Sequence, residues 1–340
     1  MPEARKPAVD HMITEHNLSE RTACQLASVS RTGYRYQRKA RNDCLALQLG
    51  AFVLCGGLVF FAASFSLVAV PLTILLAAIW ATLFAPFHEC THQTAFRSRP
   101  LNTIGTWLSG IPFGMSPTVY RHYHFAHHRY TNDPHKDPEL GGSPQTASWP
   151  RTKPDWFSMI SGLWLLRAKV MVLLMFSVLP STRWDAIAPW APPELRARMA
   201  WETRVVALMW LSLVVAVITG IPGAGWLLIA LTLSHMFQAV WLTAEHKGLP
   251  LEGTILARTR TMRPSSIVRW WLWNMNYHAE HHAWPAVPWH ALPLLHERIA
   301  DHLDHQEQGY WRLQLGIFKR NNLPFGSVSV QAKKSEEGCE

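Results

Sequence analysis

Two stretches without a charged side chain constrain this chain more than anything else in it. Residues 45–87 run for 43 positions, and residues 205–244 for another 40, without Asp, Glu, Lys or Arg. A helix needs about 20 apolar residues to cross the ~30 Å hydrocarbon core, so each stretch holds two crossings joined by a tight turn. A helix buried in a water-soluble core is the alternative, and such helices rarely run so long. Gly220-Ile221-Pro222-Gly223 marks the turn of the second stretch, whereas the first offers only Ser64, Ser66 and Pro71. Crossings are expected near 45–66, 67–87, 205–220 and 224–244.

The net charge of +9 suggests nucleic acid, but its placement points elsewhere. Neither turn inside the uncharged stretches carries Lys or Arg, so every basic residue lies outside the hairpins. The positive-inside rule then assigns those segments and both termini to the cytoplasm, with the chain in the cell inner (cytoplasmic) membrane and no nucleic-acid partner. The first 43 residues are polar, and no cleavable signal peptide is visible among them. Five scattered cysteines, Cys24, Cys44, Cys55, Cys90 and Cys339, form neither a disulfide framework nor a CxxC site, which fits a reducing compartment.

The organisation follows: a polar, basic extension over 1–43, a membrane domain over 44–325, and a Ser/Lys/Glu tail over 326–340 whose composition predicts disorder. Two shorter apolar pieces lie between the hairpins. Gly110, Pro112 and Gly114 interrupt 101–119, which reads as interfacial or re-entrant. Arg167 and Lys169 sit inside 155–180, and charge at that depth predicts an amphipathic surface helix.

Eighteen histidines are many for 340 residues, and their spacing carries the chemistry. His88 and His92 form HxxxH just past the second crossing. His124, His127 and His128 form HxxHH, and His278, His281 and His282 repeat it. Residues three and four apart share a helix face, so each cluster is expected to aim its imidazoles at one point. Imidazole suits iron, zinc and copper, and eight such ligands exceed the needs of one metal, so two metals are expected. His246, past the fourth crossing, is a ninth candidate. His11, His16, His290, His296, His302 and His305 read as surface or capping residues. His122 and His135 lie off the HxxHH pattern, and His235, within an apolar span, reads as a packing or pathway residue.

HECTH, RHYHFAHHRYTNDPHKDPE and NMNYHAEHHAWPAVPWHALPLLH, in this order and with four crossings, resemble the membrane fatty-acid desaturase and hydroxylase superfamily over roughly 45–310. The resemblance implies an all-α integral membrane protein, with four transmembrane helices in two hairpins and a cytoplasmic histidine-rich cap. It also implies two iron ions held by His88, His92, His124, His127, His128, His246, His278, His281 and His282. An acyl chain would thread between crossings and cap. Some members place an asparagine one turn before the ninth histidine; here Leu242 stands there, and Asn274, one turn before His278, is the candidate substitute.

A nitrogen-rich site of this kind suits dioxygen-dependent attack on an unactivated C–H bond of a membrane lipid or fatty acyl chain. Desaturation is the favoured outcome; hydroxylation and oxidative decarboxylation to a terminal alkene fit the same ligands. Glu89, Asp137, Glu139, Glu245 and Glu280 are expected to orient imidazoles or close the cap, and Arg260 to meet a substrate head group. No electron-carrier module is visible, so the electrons are expected from a separate donor such as ferredoxin and its reductase. HECTH is also literally HExxH, the zinc-protease pattern, with Glu89 as base, but that reading leaves both HxxHH clusters idle. A histidine-rich transporter would place its site near the midplane, not at the span ends. Residues 15–43 resemble the start of the second reading frame of insertion-sequence transposases, with a helix–turn–helix turn near 27–30.

Overall fold

The computed structural model describes residues 9, 12–13, 18–27, 42–140 and 150–319. The 326–340 tail and most of the 1–43 extension, including most of the turn expected at 27–30, lie outside the described residues. Within 18–27 a short helix, Glu20–Leu26, begins on Ser19, whose hydroxyl accepts the Thr22 N–H at 3.1 Å.

Both uncharged stretches fold as helical hairpins: Asn42–Phe61 with Ser66–Thr82, and Arg196–Ile218 with Ala224–His246. Among the described residues, four helices are long and apolar enough to cross a membrane, as expected of an all-α membrane protein. Among the described residues the sheet content is one two-residue parallel pair, Thr261–Met262 with Gln306–Glu307. Residues 62–65 make the first turn, closed by the Phe65 N–H on the Ala62 carbonyl. Pro71 is no turn marker; it sits inside the second helix, which forgoes one backbone bond there. The second turn needs its glycines, since Gly220 and Gly223 adopt φ of 74° and 83°. A Cβ on Gly223 would also fall 2.9 Å from the Phe60 backbone, so the two hairpins touch at that end.

Cys55, Val59, Leu76, Ala77, Trp80, Ala230 and Leu231 are buried where the hairpins pack. Leu54, Phe61, Leu67, Leu208, Leu211 and Ile218 point outward, Leu67 being 92% exposed. Such a belt is intolerable in water, and a helix whose backbone is internally satisfied can present it to lipid. The third crossing begins at Arg196, earlier than its charge pattern predicted. Its buried Glu202 carboxylate accepts the Thr118 N–H at 2.8 Å and the Thr118 hydroxyl at 2.9 Å. That contact satisfies the N-terminus of Pro117–Tyr130, the helix carrying the second histidine cluster.

Two expectations for the intervening segments fail. Residues 101–119 are not broken at Gly110 and Pro112: the helix Arg99–Phe113 runs through both and stops at Gly114, at φ 80°. Gly105 and Gly110 serve close approach instead, because a Cβ there would lie 2.6 Å from Cys90 Sγ and from the Phe87 ring. The second failure is the amphipathic reading of 155–180. This segment forms Lys153–Ile160 and Leu163–Val178, bent by 55° and together apolar enough for a broken span or re-entrant loop. Arg167 is exposed, but Lys169 turns inward, and the outer face carries Leu163, Val170, Met171, Leu174 and Val178.

Candidate metal centre

Phe84–Thr91 continues the second crossing and carries His88, buried along with the whole of that helix. Pro117–Tyr130 presents His124, His127 and His128, the fourth crossing ends on His246, and the six-residue helix His278–Ala283 presents the third cluster. Trp273 and Asn274, both at positive φ, turn the chain into that helix. The nine histidines singled out from spacing and resemblance come together here, and they do so in two groups. His88, His92, His124, His128 and His281 form one; His127, His246, His278 and His282 form the other. Within each group the candidate ligand atoms lie within 4.8 Å of one another.

The clusters do not each aim at one point, as the spacing first suggested. Successive helical residues turn by about 100°, so the third and fourth positions after a histidine diverge by that angle. In the second cluster His124 and His128 share one group while His127 serves the other; in the third, His278 and His282 share the second group while His281 serves the first. The same HxxHH spacing thus reaches two neighbouring points, in opposite senses on the two helices.

Hydrogen bonding alone does not account for this packing. His124 Nε2 lies 2.9 Å from both His92 Nε2 and His128 Nε2, His281 Nε2 is 3.2 Å from His128 Nε2, and His278 Nε2 is 2.8 Å from His246 Nε2. A nitrogen carries one hydrogen or one lone pair, so His124 Nε2 cannot bond well to both neighbours. Both His88 nitrogens, the Nδ1 atoms of His124, His128, His278 and His281, and His282 Nε2 are buried without a hydrogen-bond partner. Nitrogens about 3 Å apart match neighbouring ligands on a cation with ~2.0–2.1 Å metal–nitrogen bonds. Burial holds His92, His124, His128, His278 and His282 well below the usual imidazole range, His281 at about 3, and neighbouring imidazoles add to the effect. Neutral imidazole is the ligand form. The donor set therefore fits two metal ions.

His127 differs. Burial opposes its charged form, but Glu139 and Asp137 outweigh burial and raise it to about 9. Asp137 holds the ring from behind: both its oxygens lie 3.0 Å from His127 Nδ1, and they also accept the Asn132 and Glu139 N–H groups at 2.8 and 2.9 Å. Glu139 lies 3.6 Å from the same nitrogen, and Glu245 Oε1, which accepts the Trp241 indole N–H, lies 3.5 Å from His278 Nδ1. Thr131 Oγ1 meets His282 Nδ1 at 3.2 Å, and the Arg258 carbonyl meets His246 Nδ1 at 3.3 Å. Spacing gave no sign of these last two.

The remaining acids tie the cap together. Glu89 accepts the Thr94 hydroxyl at 2.7 Å and the Trp289 N–H at 3.2 Å, linking the first cluster to the loop after the third. Its other oxygen, Oε1, lies 3.8 Å from His88 Nδ1. Glu280 touches Thr261 and His296, each at 2.5 Å, and not a box imidazole. His296 is consequently no surface residue but a cap tie, which the sequence reading missed. Arg260 was expected at a substrate head group; it is buried and donates to the Ala244 and Lys247 carbonyls, closing the C-terminus of the fourth crossing. Asn274 donates to the Trp289 carbonyl at 3.2 Å rather than to His278. His135 is exposed, His122 half-buried, and His235 donates within its own helix to the Leu231 carbonyl; none joins a group.

A cavity of about 180 Å³ opens beside the histidines. His88, His124, His127, His246 and His278 line one part, and Phe84, Phe113, Met115, Trp164, Val172 and Leu242 make its apolar walls. Tyr120, also in the wall, stacks on His124 with ring centroids 5.1 Å apart.

Residues 64–314 match the family described as fatty acid desaturase. A delta(5) fatty acid desaturase of Caenorhabditis elegans is 24% identical over 285 residues, covering 71% of this chain and 61% of that protein. A sphingolipid delta(4)-desaturase/C4-monooxygenase of Rattus norvegicus is 24% identical, covering 75% of this chain and 74% of that protein. A dihydrorhizobitoxine desaturase of Bradyrhizobium elkanii is also 24% identical, covering 72% and 71%. The match spans most of the chain and contains all nine clustered histidines, so the chain belongs to the fatty acid desaturase family and is an oxidoreductase.

Proposed function

We propose that this protein is a dioxygen-dependent di-iron enzyme that attacks an unactivated C–H bond of an acyl chain and introduces a double bond. The observation that carries the reading is the meeting of two close-packed groups of imidazoles with one apolar cavity. Bound at those two groups, iron supplies activation of dioxygen and the oxidising power to take hydrogen from a methylene.

The chain's own residues do the rest. His88, His92, His124, His128 and His281 would hold one ion, and His127, His246, His278 and His282 the other. Asp137 fixes the His127 tautomer by accepting from Nδ1, which leaves Nε2 directed inward. Phe84, Phe113, Met115, Val172 and Leu242 lie along an apolar chain and exclude water from it. The electrons come from a separate donor such as a ferredoxin with its reductase. The site faces the cytoplasm from the inner membrane, since the basic segments and the histidines lie at the same ends of the hairpins.

Expression in a host fed with fatty acids, with mass spectrometry of lipids, culture and headspace, tests the reaction. New unsaturated acyl chains are expected, together with about two irons per purified chain. Hydroxylated products or terminal alkenes would keep the oxidase and move the outcome. Activity with one zinc and no iron would sink the reading.

A further inference from the structure

Two lysines, Lys169 and Lys247, line the cavity without serving the metal site, and of the two Lys169 is the buried one. Lys169, on Leu163–Val178, is 4% exposed and lines the same cavity as His88 and His246. Its ammonium donates to Gln238 Oε1 at 2.7 Å and stands 3.3 Å from the centroid of Phe113. Neither contact supplies a negative charge, and none of the ion pairs among the described residues includes Lys169. A buried ammonium with only a neutral partner opposes folding, and Met or Leu would fill the same space without that cost. On the facing crossing, Gln238 Nε2 is buried without a partner among the described residues. Lys169 thus brings an uncompensated charge to walls formed by Phe113, Trp164, Leu165, Val172 and Leu242.

We propose that Lys169, supported by Gln238, binds the carboxylate of the substrate, so that the enzyme acts on a free carboxylic acid rather than an ester or thioester. The inference rests on the acyl-oxidising function proposed above. A carboxylate completes the Lys169 ammonium with a charge-assisted hydrogen bond, while Gln238 Oε1 holds that ammonium in place. An ester or thioester carries no anion at that carbon, and its head group would have to occupy the apolar wall. Gln238 precedes His246 by eight residues, about 12 Å along the helix axis. The acid end therefore lies several methylenes from the carbons that face the histidines, and the chain runs from Lys169 along the cavity toward them.

The test uses the iron-loaded full chain in detergent, with cis-parinaric acid and its methyl ester as fluorescent probes. The wild type should bind the acid more tightly than the ester. Lys169→Met should weaken acid binding by about 10- to 100-fold and leave ester binding alone. Lys169→Arg should retain most of the acid preference. Gln238→Leu, which leaves the charge in place, should weaken acid binding less than Lys169→Met. It also serves as the independent variant if Lys169→Met does not fold, as judged by its iron content and thermal midpoint. Equal wild-type affinity for acid and ester overturns the proposal, as does undiminished acid preference in both Lys169→Met and Gln238→Leu. A protein without iron that still shows Lys169-dependent acid binding would lose the proposed function and keep this site; an active two-iron enzyme indifferent to Lys169 would do the reverse.

Discussion

Asp137→Asn isolates the support behind one proposed metal ligand without changing its size. The carboxylate accepts three N–H groups, from His127 Nδ1, Asn132 and Glu139, using both oxygens. An asparagine has one acceptor oxygen. Whichever way its amide turns, its NH2 faces a backbone N–H, Glu139's or Asn132's, and that donor loses its partner. A lost hydrogen bond to a charged group costs about 1.5–3 kcal/mol, and removing the carboxylate behind a metal-bound histidine typically weakens metal affinity by ~10- to 100-fold. The chelator concentration that strips half the iron from the purified protein should therefore fall by ~10- to 100-fold. Helical content should be unchanged, since Pro117–Tyr130 keeps its Glu202 contact. Metal analysis across a chelator titration, beside circular dichroism, reads both. Wild-type resistance to chelation would refute the claim that Asp137 positions His127 toward a metal.

His88→Ala, His127→Ala and His281→Ala should each abolish turnover, assayed by product mass spectrometry; full activity in any one would remove that residue from the site. His296→Ala leaves the buried Glu280 carboxylate short of a partner and should cost about 1–3 kcal/mol, read as a lowered thermal midpoint with iron still bound; an unchanged midpoint contradicts the cap-tie role. Deleting residues 2–40 should leave iron content and turnover intact, because the crossings and histidines begin later; lost turnover in a truncated protein that binds iron would contradict this. In a cysteine-free background, Phe65→Cys and Ile221→Cys should react with an impermeant thiol reagent applied outside intact cells, and His135→Cys should not. Labelling at 135 would break the cytoplasmic assignment.

The crossings were legible because exclusion of charge over 43 and 40 residues has few other causes, and the turn at Gly220 and Gly223 because positive φ demands glycine. The histidine set was legible from spacing, and His246 from its place just past a span. What escaped depended on contacts distant in sequence. Gly110 and Pro112 read as breaks because nothing local reveals that Phe87 packs against the one and the Trp80 indole bonds the carbonyl of the other. Lys169 read as a surface charge because its partner, Gln238, lies 69 residues away. Arg260 and His296 each have a polar side chain that suits a ligand, and only the fold shows it spent on a helix end or on Glu280. The split of each HxxHH between two groups follows from helix geometry, yet it emerges only when two helices face the same pair of points.

That split has a consequence for how the proposed pair of metals would be acquired. Neither group can be assembled from helices that the other does not use: Pro117–Tyr130 and His278–Ala283 each give ligands to both. Fixing a first ion would immobilise the two helices that must be oriented for a second, so the ordering entropy would be spent once for two binding events. Loading should then be cooperative, with apo and fully loaded chains outnumbering singly loaded ones at limiting metal. Damage to a ligand of one group should also loosen the other, although no side chain of the second has been touched.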